Sequence, residues 1–358
     1  MSALGANTIR ETQPKIDRAY DRKRNPIFVV GCHRSGTNLL YDMLLSAGGF
    51  AVYRGYLPVY KTLIPRFGDL GKLEGRKNAV QAWLKSKGFR RSGLDAGPLA
   101  SKLLAECRTG GDFISVVMDE ITQSQNAMRW ALYDPDNVLR IDKIKADIPR
   151  ALFVHMVRDG RDIALSLSKM GGFQPLPWDR RSRKLQATAM YWQWMVQQGK
   201  IFGSQIPADY IEIHFEELVG EPERVLKTLG QFIEHDLDYT HIRQASLGRL
   251  REPNSSFRGE KQQNSPVNRW KEKLSKEEVK GLETLVGTCL EECGYPLTVA
   301  ESSRKPGFQE KWMRAFYPRY LNAKFWLKTG TPAGKLASLS ELEMDEPVPD
   351  VQPSRAQT

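Results

Sequence analysis

The residue types most suited to chemistry lie in a short, glycine-flanked loop near the start of the chain. An apolar run over residues 27–30 ends at Gly31, and Gly36 precedes an amphipathic segment at 38–45. This pattern predicts a buried strand, a tight loop and a helix, and the glycine spacing is typical of a loop that cradles phosphate. The first turn of such a helix offers unpaired N–H groups and the positive end of its dipole to an anion. An ordinary strand–turn–helix with incidental glycines is the alternative interpretation.

Three positions distinguish this loop from that of a nucleoside triphosphatase. Thr37 stands where such enzymes carry lysine, and Asn38 stands where they carry the hydroxyl that binds Mg²⁺. The loop has a cation of its own, Arg34, at a different position. We therefore expect a phosphate-bearing ligand other than MgATP.

A second group of charged residues follows a central apolar run. Residues 151–157 have the length and continuous apolar character of a parallel strand buried on both faces, which favours a core position for His155. Arg158 comes next, at the carboxyl end of that strand, where open α/β sheets bind ligands. Ser166 follows about two helical turns later, and an arginine fork with a serine hydroxyl suits a phosphate. A surface cluster of local ion pairs is the alternative for residues 158–162.

These two loops belong to a longer alternation of strand and helix patterns. Further strands are expected at 50–53 and 210–215, and further helices are expected to be capped by Asp112 and Asp134. Such alternation is typical of an α/β fold, here a P-loop-like three-layer sandwich with a central parallel sheet flanked by helices. Residues 171–183 are expected to form a loop over the site.

The composition divides the chain into four expected segments. These are a flexible N-terminal segment (1–24), an α/β domain (25–300), a basic, aromatic helical extension (301–338) and a disordered acidic and polar tail (339–358). Residues 311–327 are dense in Trp, Phe, Tyr, Arg and Lys. That density predicts contact with a membrane surface or an acidic partner, or else packing against the main domain.

Charge and cysteine usage narrow the classes of partner. With 53 Lys and Arg against 42 Asp and Glu, the net charge is +11, which favours anionic ligands, and no nucleic-acid-binding module is evident. The N-terminus lacks the apolar core of a secretory signal, and no apolar run is long enough for a transmembrane helix. The four cysteines lack zinc spacing and are expected to stay reduced, as in the cytoplasm.

Four segments, in this order, resemble the PAPS-dependent sulfotransferase superfamily, whose donor is 3′-phosphoadenosine-5′-phosphosulfate (PAPS). The likeness is to the bacterial and Golgi-type group with an Arg-Ser-Gly-Thr loop. The segments are Gly31-x-x-Arg34-Ser35-Gly36-Thr37, Val157-Arg158-Asp159-Gly160-Arg161-Asp162-x3-Ser166, Ile213-His214-Phe215-Glu216-Glu217-Leu218-Val219-x2-Pro222 and Asn268-Arg269-Trp270-Lys271.

The resemblance implies transfer of a sulfuryl group from PAPS to a hydroxyl or amine of an acceptor such as a carbohydrate, lipid or peptide. It also implies which residues form the donor site. The 5′-phosphosulfate would be held by Arg34, Ser35, Gly36, Thr37 and Asn38, and the 3′-phosphate by Arg158 and Ser166. Ser255 or Ser256, with Arg269, would complete the site.

The chemistry of sulfuryl transfer is compatible with these residues. The transferred group carries less charge than a phosphoryl group, so cations and backbone amides can stabilise the transition state and no metal is required. Arg34 is the expected catalytic residue, because its charge would offset the charge that develops on the bridging oxygen.

Two positions depart from the family pattern. Tyr133 stands where relatives often have lysine, and 53–56 contains no carboxylate where they often have a general-base glutamate. His33, beside the loop, is the first candidate for the base that a hydroxyl acceptor needs.

Two other functions remain open. One is a non-catalytic homologue that keeps the nucleotide pocket, and the other is a P-loop kinase, against which Thr37 and Asn38 argue. Because activated sulfate is made in the cytosol, the resemblance implies a cytoplasmic enzyme, with 311–327 as a candidate for peripheral membrane contact.

Overall fold

A four-stranded parallel sheet forms the centre of the molecule in the part of the chain that the computed structural model describes, residues 22–170, 181–250, 266–336 and 338–342. The strands are β1 (Ile27–Gly31), β2 (Ala131–Tyr133), β3 (Leu152–Val157) and β4 (Tyr210–His214). Their order in the sheet is β2-β1-β3-β4, so the first and third strands of the sequence are neighbours at its centre.

Helices connect the strands and cover both faces of the sheet. Within the described ranges the α-helices are α1 (Thr37–Ser46), α2 (Ile64–Phe67), α3 (Leu73–Leu84), α4 (Lys87–Arg90), α5 (Ala96–Glu106), α6 (Gly110–Ser124), α7 (Ile141–Asp147), α8 (Gly160–Lys169), α9 (Arg181–Gly203), α10 (Phe215–Gly220), α11 (Pro222–Ile233), α12 (Tyr239–Ala245), α13 (Trp270–Lys273), α14 (Lys276–Glu292) and α15 (Phe308–Gly330). A π-helical turn (Val59–Leu63) precedes α2, and a 3₁₀ turn (Pro135–Arg140) follows β2.

The two central strands are buried along their whole length, as their uninterrupted apolar sequences predict. They pair in register, with Ile27 beside Leu152 and Gly31 beside Met156. Because parallel strands end at the same edge of a sheet, the loops that follow β1 and β3 begin side by side.

Alternate side chains of these strands enter hydrophobic cores on opposite sides of the sheet. Phe28 stacks on Phe153, with ring centroids 5.6 Å apart, in a core that also contains residues of α6 and α9. Val29 and Val154 lie in the other core, with residues of α1 and α11. The fold is therefore the predicted α/β sandwich, with a parallel sheet between two helical layers.

Two local predictions were wrong, and one strand was missed. Residues 50–53 form no strand: Phe50 makes one isolated bridge with Arg129, and the apolar side chains beside it are buried without a ladder. The strand that pairs with β1 on this side is β2, which is too short to give a sequence pattern. Helix α6 starts at Gly110 rather than after Asp112, because Thr109 is the N-cap and Asp112 closes a capping box with it.

The described structure extends slightly beyond the predicted limits of the terminal segments. Arg22 begins a 3₁₀ turn and donates to the carbonyl of Phe232 at 3.1 Å. Ser340 begins another turn, and Leu342 is buried. The rest of the two segments, 1–21 and 343–358, lies outside the described residues.

Helix α15 packs against the α/β domain along one face. Met313, Tyr317 and Leu321 are its buried residues, one helical turn apart. Trp194 of α9 donates its indole N–H to Asn322 at 2.7 Å. No helix among the described residues is long and apolar enough to cross a bilayer.

Candidate functional site

The loop after β1 has a backbone conformation that requires its two glycines. Gly31 has φ +149°, and a Cβ there would lie 2.5 Å from the carbonyl oxygen of Met156. Gly36 has φ +94°, and a Cβ there would lie 2.3 Å from the ring of Phe215. Arg34 itself has φ +74°, a strained conformation for a residue with a side chain. Such strain persists only where the surroundings enforce it, and it is concentrated at functional sites.

The N-terminus of α1 faces this loop and supplies backbone donors. Gly36 is its N-cap, and no side chain within the described residues caps the helix there. The first turn of a helix carries N–H groups that its own carbonyls cannot satisfy, and such a turn suits an anion. Thr37 is buried in the first turn, whereas Asn38 is partly exposed. The Ser35 hydroxyl is fully buried and donates to the carbonyl of Cys32 at 2.7 Å, so it braces the loop from within.

Two hydrogen bonds join the first loop to the second. The Nε of Arg34 donates to the Ser166 hydroxyl at 3.1 Å, and Nη1 of Arg158 donates to the backbone carbonyl of Arg34 at 2.9 Å. The residues that the sequence analysis assigned to two separate phosphates thus lie in direct contact. The arrangement places two guanidinium groups beside the uncapped end of α1.

Arg158 is held deep in the protein with part of its guanidinium unsatisfied. Its Nη2 donates to the carbonyl of Pro266 at 2.6 Å, and its guanidinium lies 4.5 Å from the centre of the Phe215 ring. Asp162 is the nearest carboxylate, at 3.6 Å. The buried Nε has no hydrogen-bond partner among the described residues. Burial lowers the pKa of Arg158 from its ordinary value, and the neighbouring charge of Arg269 acts in the same direction.

The second loop also fixes the segment that carries Arg269. Both carboxylate oxygens of Asp162 accept backbone N–H groups at 2.9 Å, one from Asn268 and one from Trp270. Arg161 stacks on the Trp270 ring, with its guanidinium 3.8 Å from the ring centre. The alternative interpretation of a surface ion-pair cluster is wrong for Arg161, because that residue is buried. Asp162 therefore holds the backbone on both sides of Arg269, whose charge lies close enough to act on Arg158.

Three parts of the predicted site lie outside the described residues. Ser255 and Ser256, the expected serine ligands from the C-terminal region, are two of them. The third is the predicted loop over the site, of which 171–180 are not described, while α9 begins at Arg181.

His33 lies beside the loop and belongs to a charged cluster. Its Nε2 is 3.1 Å from Oδ1 of Asp136. The other carboxylate oxygen of Asp136 is 2.7 Å from the ammonium of Lys61, which lies in the π-helical turn 59–63. No partner for the second ring nitrogen of His33 is found in the described ranges, and about a third of the side chain, 35%, is exposed. His33 therefore has one anchored nitrogen and one nitrogen available to a ligand.

The charges of this cluster shift the pKa values of His33 and Asp136 in opposite directions. Burial lowers the pKa of His33, but the Asp136 carboxylate more than offsets burial, and the net pKa lies above its ordinary value. Burial raises the pKa of Asp136, yet His33 and Lys61 outweigh it and hold that pKa well below the usual range. Asp134 differs from Asp136, because burial outweighs its cationic neighbours and the pKa of Asp134 lies above its ordinary value.

Neighbouring side chains fix the backbone beneath the cluster. Asp134 is the N-cap of the 3₁₀ turn, as predicted, and its Oδ1 accepts the N–H of Asp136 at 3.0 Å. Arg140 donates to the carbonyl of Asp136 at 2.8 Å and stacks on Phe325 of α15 at 5.1 Å. Asp136 is therefore anchored through its backbone as well as its side chain.

Sequence reasoning missed Asp136 and Lys61. Asp136 is 103 residues from His33, and Lys61 lies in a region where the sequence gives no periodic pattern. The one available signal was the Asp134-Pro135 pair, which marks a turn start directly after a short apolar segment. That signal locates the turn but does not show that Asp136 within it contacts His33 and Lys61.

His155 lies in the core, as expected. It is fully buried in β3, and its Nδ1 is 2.6 Å from the Tyr210 hydroxyl. That hydroxyl donates to Glu212 at 2.8 Å. Despite burial, which raises it, the pKa of Glu212 is lowered to about 2 by His155, 3.6 Å away, by the Tyr210 hydroxyl and by Lys200.

A parallel sheet with a glycine loop, an uncapped helix and a second arginine–serine loop at the same edge defines an α/β protein of the P-loop-like class. A sulfotransferase family model matches residues 26–239, more than half of the chain. The chain therefore belongs to the sulfotransferase family. A comparison with curated protein sequences finds no match.

Solved structures with similar folds are also sulfotransferases. The sulfotransferase domain from the curacin biosynthetic pathway aligns with a TM-score of 0.51 at 17% identity, covering 77% of this chain and 100% of that domain. The sulfotransferase domain from the Synechococcus PCC 7002 olefin synthase aligns with a TM-score of 0.49 at 16% identity, covering 77% and 96%. At these identities the first comparison supports the fold.

Proposed function

We propose that this protein is a PAPS-dependent sulfotransferase that transfers a sulfuryl group to a hydroxyl or amine of an acceptor such as a carbohydrate, lipid or peptide. The observation that carries the proposal is the contact between the two loops. Arg34 bonds to Ser166, and Arg158 bonds to the backbone of Arg34, so one ligand with two anionic groups fits this edge of the sheet better than a single phosphate.

The residues present fit such a donor. The buried Nε of Arg158, which has no partner among the described residues, suits an anionic oxygen. The uncapped end of α1, with Asn38 in its first turn, suits a second anionic group. We assign Arg158, Ser166 and Arg269 to the 3′-phosphate, and Arg34 with residues 35–38 to the 5′-phosphosulfate.

Arg34 is the proposed source of transition-state stabilisation. When bound, the donor supplies the sulfuryl group: an acceptor oxygen forms a bond to sulfur as the bond from sulfur to the 5′-phosphate oxygen breaks, and the bisphosphate leaves with the negative charge. The Arg34 guanidinium is fixed by Ser166 at 3.1 Å, so it needs little reorganisation to offset that charge. Preorganised donors of this kind typically lower the activation barrier by about 3 kcal/mol or more.

His33 is the proposed general base. Asp136 holds its Nε2, which leaves Nδ1 to take the proton from the acceptor hydroxyl. Asp136 is thus a positioning residue. Lys61, on the other side of that carboxylate, is our candidate for the lysine that the family resemblance predicts at position 133. The three residues come from three separate segments, which explains why the family positions did not reveal them.

A non-catalytic homologue that only binds the nucleotide is the second candidate function. It is favoured by two observations, tyrosine at position 133 and no carboxylate within 53–56. A P-loop kinase is disfavoured, because Thr37 and Asn38 replace the lysine and the hydroxyl that bind MgATP.

Calorimetry separates the kinase from the other two functions. Adenosine 3′,5′-bisphosphate and MgATP are titrated into the full-length protein. We expect the bisphosphate to bind more tightly, because Arg158 and Ser166 have no equivalent in a kinase loop. Tighter binding of MgATP would rule out both the sulfotransferase and the non-catalytic homologue.

An activity assay separates the enzyme from the non-catalytic homologue. Transfer from radiolabelled PAPS is measured against a panel of sugars, peptides and lipids, and repeated with chelator to test the prediction that no metal is required. The non-catalytic homologue would be favoured if the protein binds the bisphosphate but transfers sulfate to no acceptor class, and if no acceptor candidate protects His33 from chemical modification.

Two arginine variants test the assigned roles. Arg34→Ala should lower turnover by about 10²- to 10³-fold while largely sparing bisphosphate binding. Arg158→Ala should weaken bisphosphate binding by about 10- to 100-fold, the value of a hydrogen bond to a charged group. Arg150→Ala is the matched control, because Arg150 is exposed just before β3 whereas Arg158 follows its other end. Equal, small effects of both variants on binding and turnover would refute the assignment.

The cytoplasm remains the proposed compartment. It rests on the proposed donor, since activated sulfate is made in the cytosol, and fractionation of cells that express the tagged protein tests it.

A further inference from the structure

We infer that the outer face of α15 docks the protein onto an anionic membrane surface. The outer face is defined by Phe308, Trp312, Arg319 and Trp326. At 100° per residue these positions fall within a narrow strip of the helix surface. The buried residues Met313, Tyr317 and Leu321 lie on the opposite side. Packing against the main domain and contact with a membrane are therefore not alternatives, because they use different faces of the helix.

The exposure of this face is unusual for the molecule. Phe308 is 88% exposed, Trp326 61% and Trp312 41%. Among the described residues, these are all of the exposed Phe and Trp side chains, and Leu327 and Leu336 lie nearby at 48% and 84%. Single exposed apolar residues need no explanation, but a grouped set marks an interaction surface. Tryptophan suits the boundary between lipid headgroups and acyl chains, since its ring is apolar and its N–H is polar.

The charge of the helix selects the occupant. Between residues 308 and 330 there are five basic side chains and one acidic side chain, Glu310. Lys311, Arg319 and Lys324 are exposed. At 100° per residue, Lys311 and Arg319 lie beside or within the aromatic strip, whereas Arg314, Lys324 and Lys328 fall on the side of the buried residues. Exposed aromatic side chains with basic neighbours on one face are typical of a helix that lies in the plane of an anionic interface.

The inner contacts make α15 a firm platform rather than a free amphipathic segment. Trp194 donates to Asn322, and its ring also packs edge-on against Phe325. Arg314 donates to the carbonyl of Thr284 in α14. The outer face is thus presented in a fixed orientation, and docking needs no folding of the helix. The proposed reaction does not enter this argument.

Vesicle co-sedimentation tests the inference. Full-length protein is mixed with vesicles of phosphatidylcholine alone or of phosphatidylcholine with phosphatidylglycerol. We expect binding to the anionic vesicles, weakening as salt is added, and little binding to the neutral ones. Equal binding to both kinds of vesicle, or to neither, would overturn the inference.

Matched variants locate the surface. Trp312→Ser with Trp326→Ser should weaken binding to the anionic vesicles by at least about tenfold, because both side chains lose their insertion into the interface. Ile201→Ser is the control, since Ile201 is 51% exposed on α9. Lys311→Glu with Arg319→Glu should also weaken binding by at least about tenfold at low salt, because two positive charges near the anionic surface are replaced by negative ones. Lys72→Glu with Lys85→Glu is the corresponding control for charge.

Two further measurements report on folding and on self-association of the chain. Thermal unfolding should change little in the tryptophan variant, because Trp326 is largely exposed and Trp312 loses mainly its stacking on Phe316. Sedimentation velocity without lipid shows whether two copies associate through the same face. A dimer of the parent protein that the tryptophan variant abolishes would overturn the inference in favour of a second copy as the occupant.

Discussion

Gly36→Ala is the substitution for which the structure makes the most detailed energetic prediction. Gly36 lies between the loop and α1 with φ +94°, and an added Cβ would lie 2.3 Å from Cδ2 and 2.9 Å from Cε2 of Phe215. The variant therefore adds two separate costs. One is backbone strain, and the other is a steric clash with a ring that also packs against Arg158.

The two costs can be estimated separately. A residue with a side chain in the left-handed region costs about 1–2 kcal/mol. Forcing a methyl group into a packed site costs about 1–3 kcal/mol more, depending on how far the Phe215 ring can move. The sum, about 2–5 kcal/mol, is a large part of the 5–15 kcal/mol that typically separates folded from unfolded states.

Urea denaturation of a four-variant cycle measures both costs. Gly36→Ala is compared with Phe215→Leu and with the double variant. The smaller leucine should relieve the clash but not the strain, which leaves a favourable coupling of about 1–3 kcal/mol between the two substitutions. Gly220→Ala is the matched control, because a Cβ at Gly220 meets nothing within 4 Å. Destabilisation of Gly36→Ala no greater than that of Gly220→Ala would refute the described loop geometry, and zero coupling would refute the clash.

Three other predictions concern the site and its support. Asp136→Asn keeps a side-chain oxygen but removes the charge that raises the pKa of His33. Burial and Lys61 both lower that pKa, so the acidic limb of the kcat/KM profile should move to lower pH. An unmoved limb would exclude His33 as the base. Asp162→Asn presents an NH₂ group to one of the two backbone N–H groups that Asp162 accepts, on either side of Arg269. Because Arg269 is then less firmly held, bisphosphate binding in calorimetry should weaken by about 10- to 100-fold. Asp142→Asn, exposed on α7, is the control and should not weaken it. Glu212 has a pKa lowered from 4.5 to about 2, so its contribution to stability is present above pH 4.5 and disappears as the pH falls towards 2. The difference in unfolding free energy between the parent and Glu212→Gln should therefore shrink between pH 7 and pH 3; a constant difference would contradict the assignment.

The sheet could be predicted from sequence where burial leaves a clear pattern. β1 and β3 are buried on both faces, and continuous apolar runs announce them. β2 has three residues at the edge of the sheet, which is too few for any periodicity. Residues 50–53 have the composition of a strand, but Phe50 makes only a single bridge, and Phe50, Ala51 and Tyr53 are buried in coil. The apolar composition of residues 50–53 therefore indicates that side chains are buried and does not show that the backbone pairs with a neighbouring strand.

The site could be predicted to the extent that it is local. That the loops after β1 and β3 lie side by side follows from the sheet topology, since neighbouring parallel strands end at the same edge of a sheet. The contact of Arg34 with Ser166 needs only that topology and a helical spacing. The cluster of His33, Asp136 and Lys61 depends on how three distant segments pack, and no spacing along the chain encodes it. The same is true of Asp162 as an anchor for the segment 268–270.

The hydrogen bond from Arg158 to the backbone of Arg34 also limits how the gene can be rearranged. Its two ends lie 124 residues apart, yet the bond spans the centre of one binding surface. A recombination or domain-fusion event with its breakpoint between these loops would leave half of the candidate anion-binding surface in each product. The two loops therefore have to be inherited together, along with the long stretch between α1 and β2 that supplies Lys61.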